Sequence, residues 1–452
     1  MNQRIEKFTL KAIQSYHHTS LIHFDDQETL VEALASRIGF AGANPVAFLS
    51  ILARRPEMRL NDLDEAILTD RTLVRANSFR NSLFLMASVD YPLYFRALSH
   101  PLKMSNQSKL NAAGIDEDDL LRMHHRLEDT NFHIPQSHEQ VMEILYPKNH
   151  ALPVADVQKL LVRKLCELGV LVRTYHKGWK GNDFLYALTK NWFPDFKLTS
   201  ENQETARCQL IRRYISTYGP VSKEDIIWWT GLSESQVHRS LSTLRRELSI
   251  AQIEGHKDEM LVLKERVQNI RQHGNSDHSI VFLPPFDPFT TAWVTRKRTA
   301  KKSDYPFIYD AVGNAAGTIV HEGKIIGVWQ FRDSKDHIFE YHLFESYQDL
   351  KGDVHFLADQ YAHTLARISG STATYVYERK LPEPLHKRPP GSFLWPLGKE
   401  PPFKTADQNL LKSPLERRTS NTFRRPYLKD EHVAASASSS APAAATCLQH
   451  PQ

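Results

Sequence analysis

The sequence contains few cysteines and no long apolar run. Cys166, Cys208 and Cys447 are far apart among 452 residues, which excludes a paired metal-ligand spacing and a disulfide framework. We therefore expect a reducing cytoplasm as the location. No apolar run approaches the ~18 residues that a membrane-spanning helix needs, and the N-terminal segment MNQRIEKFTLKAIQ lacks the apolar core of a signal peptide. A membrane partner is not expected.

Familiar catalytic motifs are absent as well. The sequence has no HExxH, CxxC, GxSxG, Walker or dinucleotide-binding glycine motif, and we predict no metal and no cofactor. The adjacent pairs His17–His18 and His124–His125 make poor metal sites because neighbours on a helix do not face each other. The 57 Lys and Arg against 52 Asp and Glu give a net charge of only +5. A nucleic-acid prediction must therefore depend on where the basic residues lie.

The clearest structural pattern lies in residues 201–272. Apolar positions at helical spacing cover 206–217. Ser222 and Ser233 each begin a capping box, and a TGL turn separates the two helices that follow them. Alternating runs within 248–263 then predict a β-hairpin. A helix-turn-helix followed by a hairpin is a winged helix.

The same order of helix, strand, turn and strand occurs twice more, in 61–86 and 152–188. We therefore predict three tandem winged-helix regions, at 1–110, 111–200 and 201–272.

The remaining chain differs in composition. Residues 278–380 carry strand-like runs rich in β-branched and aromatic residues around one helix, which predicts a mixed, mainly β domain. Residues 381–452 are rich in proline and scattered basic residues and end in a low-complexity run, which predicts a disordered tail. The predicted fold class is thus α+β: tandem winged helices followed by a mainly β domain.

Basic residues concentrate at positions where winged helices grip duplex DNA, namely the second helix of the motif and the hairpins. The first hairpin contributes Arg71, Arg75 and Arg80; the second contributes Arg173, Lys177 and Lys180, with Trp179 at its tip; the predicted helix 233–247 contributes His238, Arg239, Arg245 and Arg246. Two other interpretations stay open. Arg245 and Arg246 can simply complement the negative helix end, and Trp179 can fold back on its own strands instead of stacking on a base.

Three further features are ambiguous. Asp287, within LPPFDPF, is either a functional carboxylate or the acceptor that fixes a turn. The basic cluster 296–302 is either a solvated loop or a phosphate contact. Of the adjacent Trp228 and Trp229, one is expected to pack in the core and the other to cover a neighbouring domain.

Four stretches together resemble the AlkZ/YcaQ-like winged-helix family of bacterial DNA glycosylases. They are RTLVRANSFRNSLFL (71–85), GPVSKEDIIWWTGL (219–232), FLPPFDPF (282–289) and GTIVHEGKIIGVW (317–329), and the likeness spans roughly 30–350. The resemblance implies tandem winged helices that hold duplex DNA in a basic concave face. It also implies hydrolysis of the N-glycosidic bond of bulky alkylated or crosslinked bases.

The resemblance fails at the catalytic positions. The family's G-x-Q-x-Q or G-x-Q-x-D stretch, followed by proline, corresponds here to residues 39–45. Gly39 and Pro45 match, but the two catalytic positions are Ala41 and Ala43. In the following strand, a histidine of the family corresponds to Phe84. Taken without the resemblance, the stretch looks like a small-residue link between two helices.

A methyl group can neither position water nor stabilise a cationic sugar, as glycosidic hydrolysis requires. One hypothesis is a monomeric protein that binds double-stranded, possibly damaged, DNA and has lost or weakened base excision. A second is an active glycosylase with replacement residues, for which Asn44 is the one polar side chain left in the stretch. A third is a transcription regulator or partner-binding scaffold, although no dimerisation helix is evident.

Overall fold

The computed structural model describes most of the chain up to residue 385. The described ranges are 5–25, 27–147, 152–176, 181, 183–197, 202–272, 278–311, 313–332, 338–370, 374–378 and 384–385. The candidates Lys177, Trp179 and Lys180 lie outside the described residues, as does the predicted tail 381–452 apart from residues 384–385.

Helices and strands both occur in consecutive runs along the described chain, in agreement with the predicted α+β class. The helices are α1 Leu10–His17, α2 Leu30–Ser36, α3 Val46–Leu52, α4 Leu60–Leu68, α5 Tyr91–Met104, α6 Gln107–Ala112, α7 Glu117–Thr130, α8 His138–Leu145, α9 Ala155–Glu167, α10 Thr189–Trp192, α11 Gln203–Tyr218, α12 Lys223–Thr230, α13 Glu234–Leu244, α14 Val267–Gln272, α15 Pro288–Thr291, α16 Tyr305–Ile308 and α17 Lys351–Ile368. The strands are β1 Ile5–Phe8, β2 Phe40–Ala41, β3 Leu73–Asn77, β4 Leu83–Ala87, β5 Leu171–His176, β6 Phe184–Leu188, β7 Leu248–Ile253, β8 Met260–Leu263, β9 Ile280–Leu283, β10 Gly317–His321, β11 Lys324–Arg332, β12 Ile338–Leu343 and β13 Tyr375–Glu378. None of the described helices is long and apolar enough to cross a membrane.

The sequence signals around residue 220 correspond to helix starts. The side chain of Ser222 accepts from the Asp225 backbone N–H at 3.1 Å, and the Asp225 carboxylate accepts from the Ser222 N–H at 2.9 Å. Ser233 and Gln236 form the same reciprocal capping box at the start of α13. The helix is shorter than predicted, since it ends at Leu244 and leaves Arg245 and Arg246 beyond its last turn.

The two predicted N-terminal hairpins join in one five-stranded sheet, with strand order β2-β4-β3-β5-β6. β3 and β4 form the first hairpin, and β5 and β6 form the second. The antiparallel pair Arg75–Arg173 connects them. The regions 1–110 and 111–200 therefore share a sheet.

The other two sheets also combine distant segments. β1 pairs in parallel with β7, so that Ile5 lies opposite Ile250, and β7 pairs with β8 in a hairpin. In the C-terminal part, β9 to β12 form an antiparallel meander, to which β13 adds in parallel. The long helix α17 covers this sheet and shares a hydrophobic core with it.

The adjacent tryptophans divide as predicted between core and surface. Trp229 is buried and stacks on Phe79, with ring centroids 3.9 Å apart. Phe79 belongs to the turn between β3 and β4, so this contact packs the first hairpin against α12. Trp228 is only half-buried.

His17 connects α1 to Gly219, which lies just before the helix-turn-helix of α12 and α13. Its Nε2 lies 3.0 Å from the carbonyl oxygen of Gly219, and its ring lies 4.8 Å from that of Trp293. A carbonyl can only accept, so Nε2 carries the proton. Burial lowers the pKa of His17 to about 3, and the nearby Arg298 charge acts in the same direction.

Because the pKa of His17 is low in the folded chain, we predict that the protein loses stability in mild acid. Between pH 6.5 and about 3 the unfolded chain protonates His17 while the folded chain does not, so the free energy of unfolding decreases by up to ~1.4 kcal/mol per pH unit. His17→Gln should remove this part of the pH dependence. Urea unfolding at pH 7, 6 and 5 measures it, with His124→Gln on the surface of α7 as the control. An unchanged pH slope in His17→Gln would contradict the assignment.

Candidate functional site

The stretch 39–45, which corresponds to the family's catalytic motif, links α2 to α3 as its composition predicts, and it contains a short edge strand that was not predicted. Phe40 pairs with Leu85 and Ala41 with Phe84, so that β2 extends the hairpin sheet. Two glycines allow this close approach. A Cβ at Gly39, whose φ is +86°, would lie 2.4 Å from the Leu85 carbonyl oxygen, and one at Gly42 would lie 2.6 Å from the Phe84 carbonyl carbon.

The two alanines occupy the accessible positions of this stretch. Ala41 and Ala43 are partly exposed, whereas Phe40, Gly42 and Asn44 are buried. Residues directly opposite each other in an antiparallel pair share a face of the sheet, so the methyl group of Ala41 neighbours the Phe84 ring. The phenyl group of Phe84 in turn packs edge-on against Phe79 at 4.9 Å. Of the three positions at which the resemblance implies polar side chains, two are therefore accessible methyl groups and the third is a buried phenyl ring.

Asn44 and Arg75 hold this stretch against both hairpins. A terminal nitrogen of Arg75 donates to Asn44 Oδ1 at 3.0 Å, and Asn44 Nδ2 donates to the Gly181 carbonyl oxygen at 3.2 Å. Arg75 is 1% exposed. Burial lowers its pKa to about 10, although the Asp64 carboxylate opposes this shift. Arg75 was expected to contact DNA, but the structure encloses it within the sheet because the buried Asn44 amide provides its partner.

Two other predicted arginines are also committed to internal contacts. The guanidinium of Arg71 lies over the Trp192 ring at 4.0 Å and donates to the Trp192 carbonyl oxygen at 3.1 Å. Arg173 donates to Asn77 Oδ1 at 2.7 Å. Each side chain remains partly exposed, so a bond to a phosphate would add to these interactions.

Arg80 is the exposed arginine of the first hairpin. It sits in the turn with φ +50°, and its guanidinium lies over the half-buried Trp228 at 4.5 Å. Arg296 stacks on Tyr309, with its guanidinium 3.5 Å from the ring centroid. This pair lies close to Trp228, because a Cβ built at Gly313 would touch both Arg296 and Trp228. We call Arg80, Trp228, Arg296 and Tyr309 the arginine–aromatic cluster.

The arginine–aromatic cluster joins three distant parts of the sequence, and sequence reasoning did not find it. One signal was available, since adjacent tryptophans on a helix cannot both face the core.

The basic segment 296–302 contains both buried and exposed cations. Arg298 is buried and donates to the Pro220 carbonyl oxygen at 2.8 Å, whereas Lys297, Lys301 and Lys302 are exposed.

The cationic residues predicted within 233–247, on α13 and just after it, are exposed. His238, Arg239, Arg245 and Arg246 all reach solvent, and Arg239 lies at a long distance, 3.8 Å, from the carboxylate of Glu204. A cleft of about 550 Å³ lies between the turn of the first hairpin and the turn from α12 to α13; Arg80 and Gln236 contribute to its lining. The start of α13 and the exposed arginine of the first hairpin thus border one cleft.

Asp287 is fully buried and forms a two-pronged ion pair with Arg54, at 2.7 and 2.8 Å. It also caps α15 by accepting from the Phe289 N–H at 3.0 Å. This geometry agrees with a turn-fixing role and keeps the carboxylate away from any large ligand.

The region around the cleft thus carries exposed cations, and two of its arginines lie over aromatic rings. Across the described ranges, one group of side chains also has the composition and spacing to hold a metal ion, namely His278, His321 and Glu322 on the C-terminal sheet.

Residues 28–346 match the model of a family described as DNA glycosylase AlkZ-like. The chain belongs to this family. The matched segment includes the β2 stretch, both N-terminal hairpins, α13 and most of the C-terminal sheet. No curated protein matches the sequence.

A solved structure gives independent support for the fold. The Streptomyces sahachiroi DNA glycosylase AlkZ is similar over 82% of this chain and 100% of its own, with a TM-score of 0.65 at 15% sequence identity. At this identity the likeness concerns the fold alone.

The geometry of β2 predicts a large effect of a single methyl group. Gly42→Ala should lower the free energy of unfolding by about 1–3 kcal/mol, because the added Cβ meets the β4 backbone and overpacking has costs of this size. Denaturant unfolding measures the change. Gly352→Ala is the matched control, since nothing lies within 4 Å of a Cβ there and alanine favours the helix by up to ~1 kcal/mol. Equal stability of Gly42→Ala and wild type would disprove the tight approach.

Proposed function

We propose that this chain is a winged-helix protein that binds double-stranded DNA and has weak or no base-excision activity. Membership of a DNA glycosylase family supports DNA as the partner. Arg80 of the arginine–aromatic cluster lines a cleft beside the start of α13, and the exposed residues His238, Arg239, Arg245 and Arg246 supply further charge of the kind that phosphate binding needs. We also propose that the protein acts as a monomer in a bacterial cytoplasm, with damaged DNA among its ligands.

The observation that carries the proposal for catalysis is the apolar character of Ala41, Ala43 and Phe84, of which the two alanines are accessible and the phenylalanine is buried. Hydrolysis of an N-glycosidic bond needs a group that positions water and a dipole or charge that stabilises the developing cation. Methyl and phenyl groups provide neither. Because Ala41 and Phe84 are cross-strand partners, the change affects a connected patch and not a single side chain.

Asn44 does not replace the missing groups in this arrangement. Its amide oxygen accepts from Arg75 and its amide nitrogen donates to Gly181, and only 4% of the residue is exposed. Asn44 therefore anchors the buried side of the stretch 39–45, whereas Ala41 and Ala43 are the accessible positions of that stretch.

One observation favours an alternative, an active glycosylase with a replacement carboxylate. Asp64 on α4 is partly buried and interacts electrostatically with Arg75. Burial raises the pKa of Asp64, which is the direction expected for a general acid or base. Asp64→Asn distinguishes this alternative from the first proposal.

The DNA interface can be tested by salt titration. Changing Arg239, Arg245 and Arg246 to alanine should weaken binding to a duplex of about 20 base pairs at every sequence. It should also reduce the slope of log affinity against log salt by about one for each phosphate that the variant no longer binds. Fluorescence anisotropy across a series of salt concentrations measures both effects.

The matched control removes three other exposed cations, Arg59, Arg122 and Lys351, and should leave affinity and slope close to wild type. Equal losses of affinity in the two triple variants would indicate a nonspecific effect of net charge. Absence of binding at low salt would overturn the proposal.

Base release tests the catalytic part. Wild type should release N7-alkylated or crosslinked bases from duplex DNA no faster than background. Ala41→Gln combined with Ala43→Gln should raise the rate by about 10²–10⁴-fold if the scaffold still positions the lesion, since that is the usual contribution of such groups. Release by wild type that Asp64→Asn abolishes would favour the replacement carboxylate and refute the first proposal.

A further inference from the structure

Three metal-ligand side chains meet at one end of the C-terminal sheet. His278 lies two residues before β9, and His321 and Glu322 lie at the turn between β10 and β11. The register of the sheet brings them together, because His321 pairs with Ile280 across the β9–β10 ladder. One ligand atom from each of the three lies within 4.8 Å of the others.

The hydrogen bonds of these side chains suit metal binding. Nδ1 of His321 lies 3.3 Å from the Ser279 carbonyl oxygen. A carbonyl only accepts, so Nδ1 carries the proton and Nε2 of the neutral ring carries the lone pair. Histidines that bind metals are usually oriented in this way by a backbone carbonyl.

Glu322 supplies the negative charge of the group. Nδ1 of His278 lies 2.5 Å from a Glu322 carboxylate oxygen. The His278 side chain is 77% exposed, so an ion can reach it from solvent.

The backbone on both sides of the group is fixed to the N-terminal segment. The N–H of Gly323, the residue after Glu322, donates to His18 Nδ1 at 3.1 Å. His18 Nε2 must therefore be the donor to Ser279 Oγ, at 3.1 Å, and the same Oγ lies 3.0 Å from His23 Nε2. Ser279 directly follows His278, so the ligands project from anchored backbone, as a preorganised site requires.

We propose that His278, His321 and Glu322 bind a divalent transition-metal ion of the Zn²⁺ class, with water completing the coordination. Two histidines, one carboxylate and water form a donor set that zinc uses in proteins. The ion takes the place of the proton between His278 and Glu322, as expected for ligands that deprotonate on binding. The two ligand atoms then separate to about 3.3 Å, since each lies ~2.0–2.1 Å from a tetrahedral ion. The bound ion clips the start of β9 to the β10–β11 turn.

Metal titration of the full-length, metal-free protein tests this site. Co²⁺ should give visible absorption bands that saturate at one equivalent, and Zn²⁺ should displace them. His278→Ala should weaken both metals at least about tenfold, the lower bound for disturbing a metal site. Because His278 is exposed, this variant should retain the wild-type circular dichroism spectrum.

The matched control is His124→Ala on α7. His124 also adjoins a second histidine and contacts a glutamate, with Nε2 3.5 Å from Glu128, and its replacement should leave the affinity unchanged. Glu322→Gln provides a second variant that preserves side-chain size at the turn and should also weaken binding. Wild-type protein that fails to saturate at one equivalent, or wild-type affinity in both His278→Ala and Glu322→Gln, would overturn the proposal.

Discussion

The buried ion pair between Arg54 and Asp287 connects the parts of this molecule that surround the candidate site. Arg54 follows α3, and its guanidinium also donates to the carbonyl oxygens of Leu21 and Ser50, at 2.7 and 2.8 Å, and lies over the Phe40 ring. Asp287 lies in the C-terminal part of the chain, where it caps α15. In a low-dielectric interior each charge depends on the other, and removal of one partner of such a pair typically costs about 3–5 kcal/mol. Arg54 and Asp287 are 233 residues apart in the sequence. Their ion pair also fixes the guanidinium that packs on Phe40 of β2.

The candidate site combines a closely packed backbone with apolar side chains. Gly39 and Gly42 allow β2 to lie against β4, and the Asn44 amide bonds to Arg75 and Gly181. The side chains that face outward from this frame are methyl groups, and the cross-strand neighbour is a phenyl ring. The glycines and Asn44 thus determine the backbone geometry of this stretch, whereas Ala41 and Ala43 determine the chemistry of its accessible side.

Local signals predicted the helix starts and hairpins well. Capping boxes at Ser222 and Ser233 depend on residues three positions apart, so they can be seen in the sequence. The strand β2 could not be predicted, since two residues between glycines have no periodicity. The burial of Arg75 depends on Asn44, which is 31 residues away. The grouping of His278 with His321 follows from the β9–β10 register, which no local pattern reveals.

The parallel pairing of β1 with β7 affects the order in which the molecule can assemble. Ile5 to Phe8 are synthesised before their partners Ile250 to Ile253, which are made about 245 residues later. Until then the first strand has an open edge, and an unpaired edge is a site for wrong pairing. The pairing of β1 is therefore a late event in synthesis, although β1 itself is made long before β7.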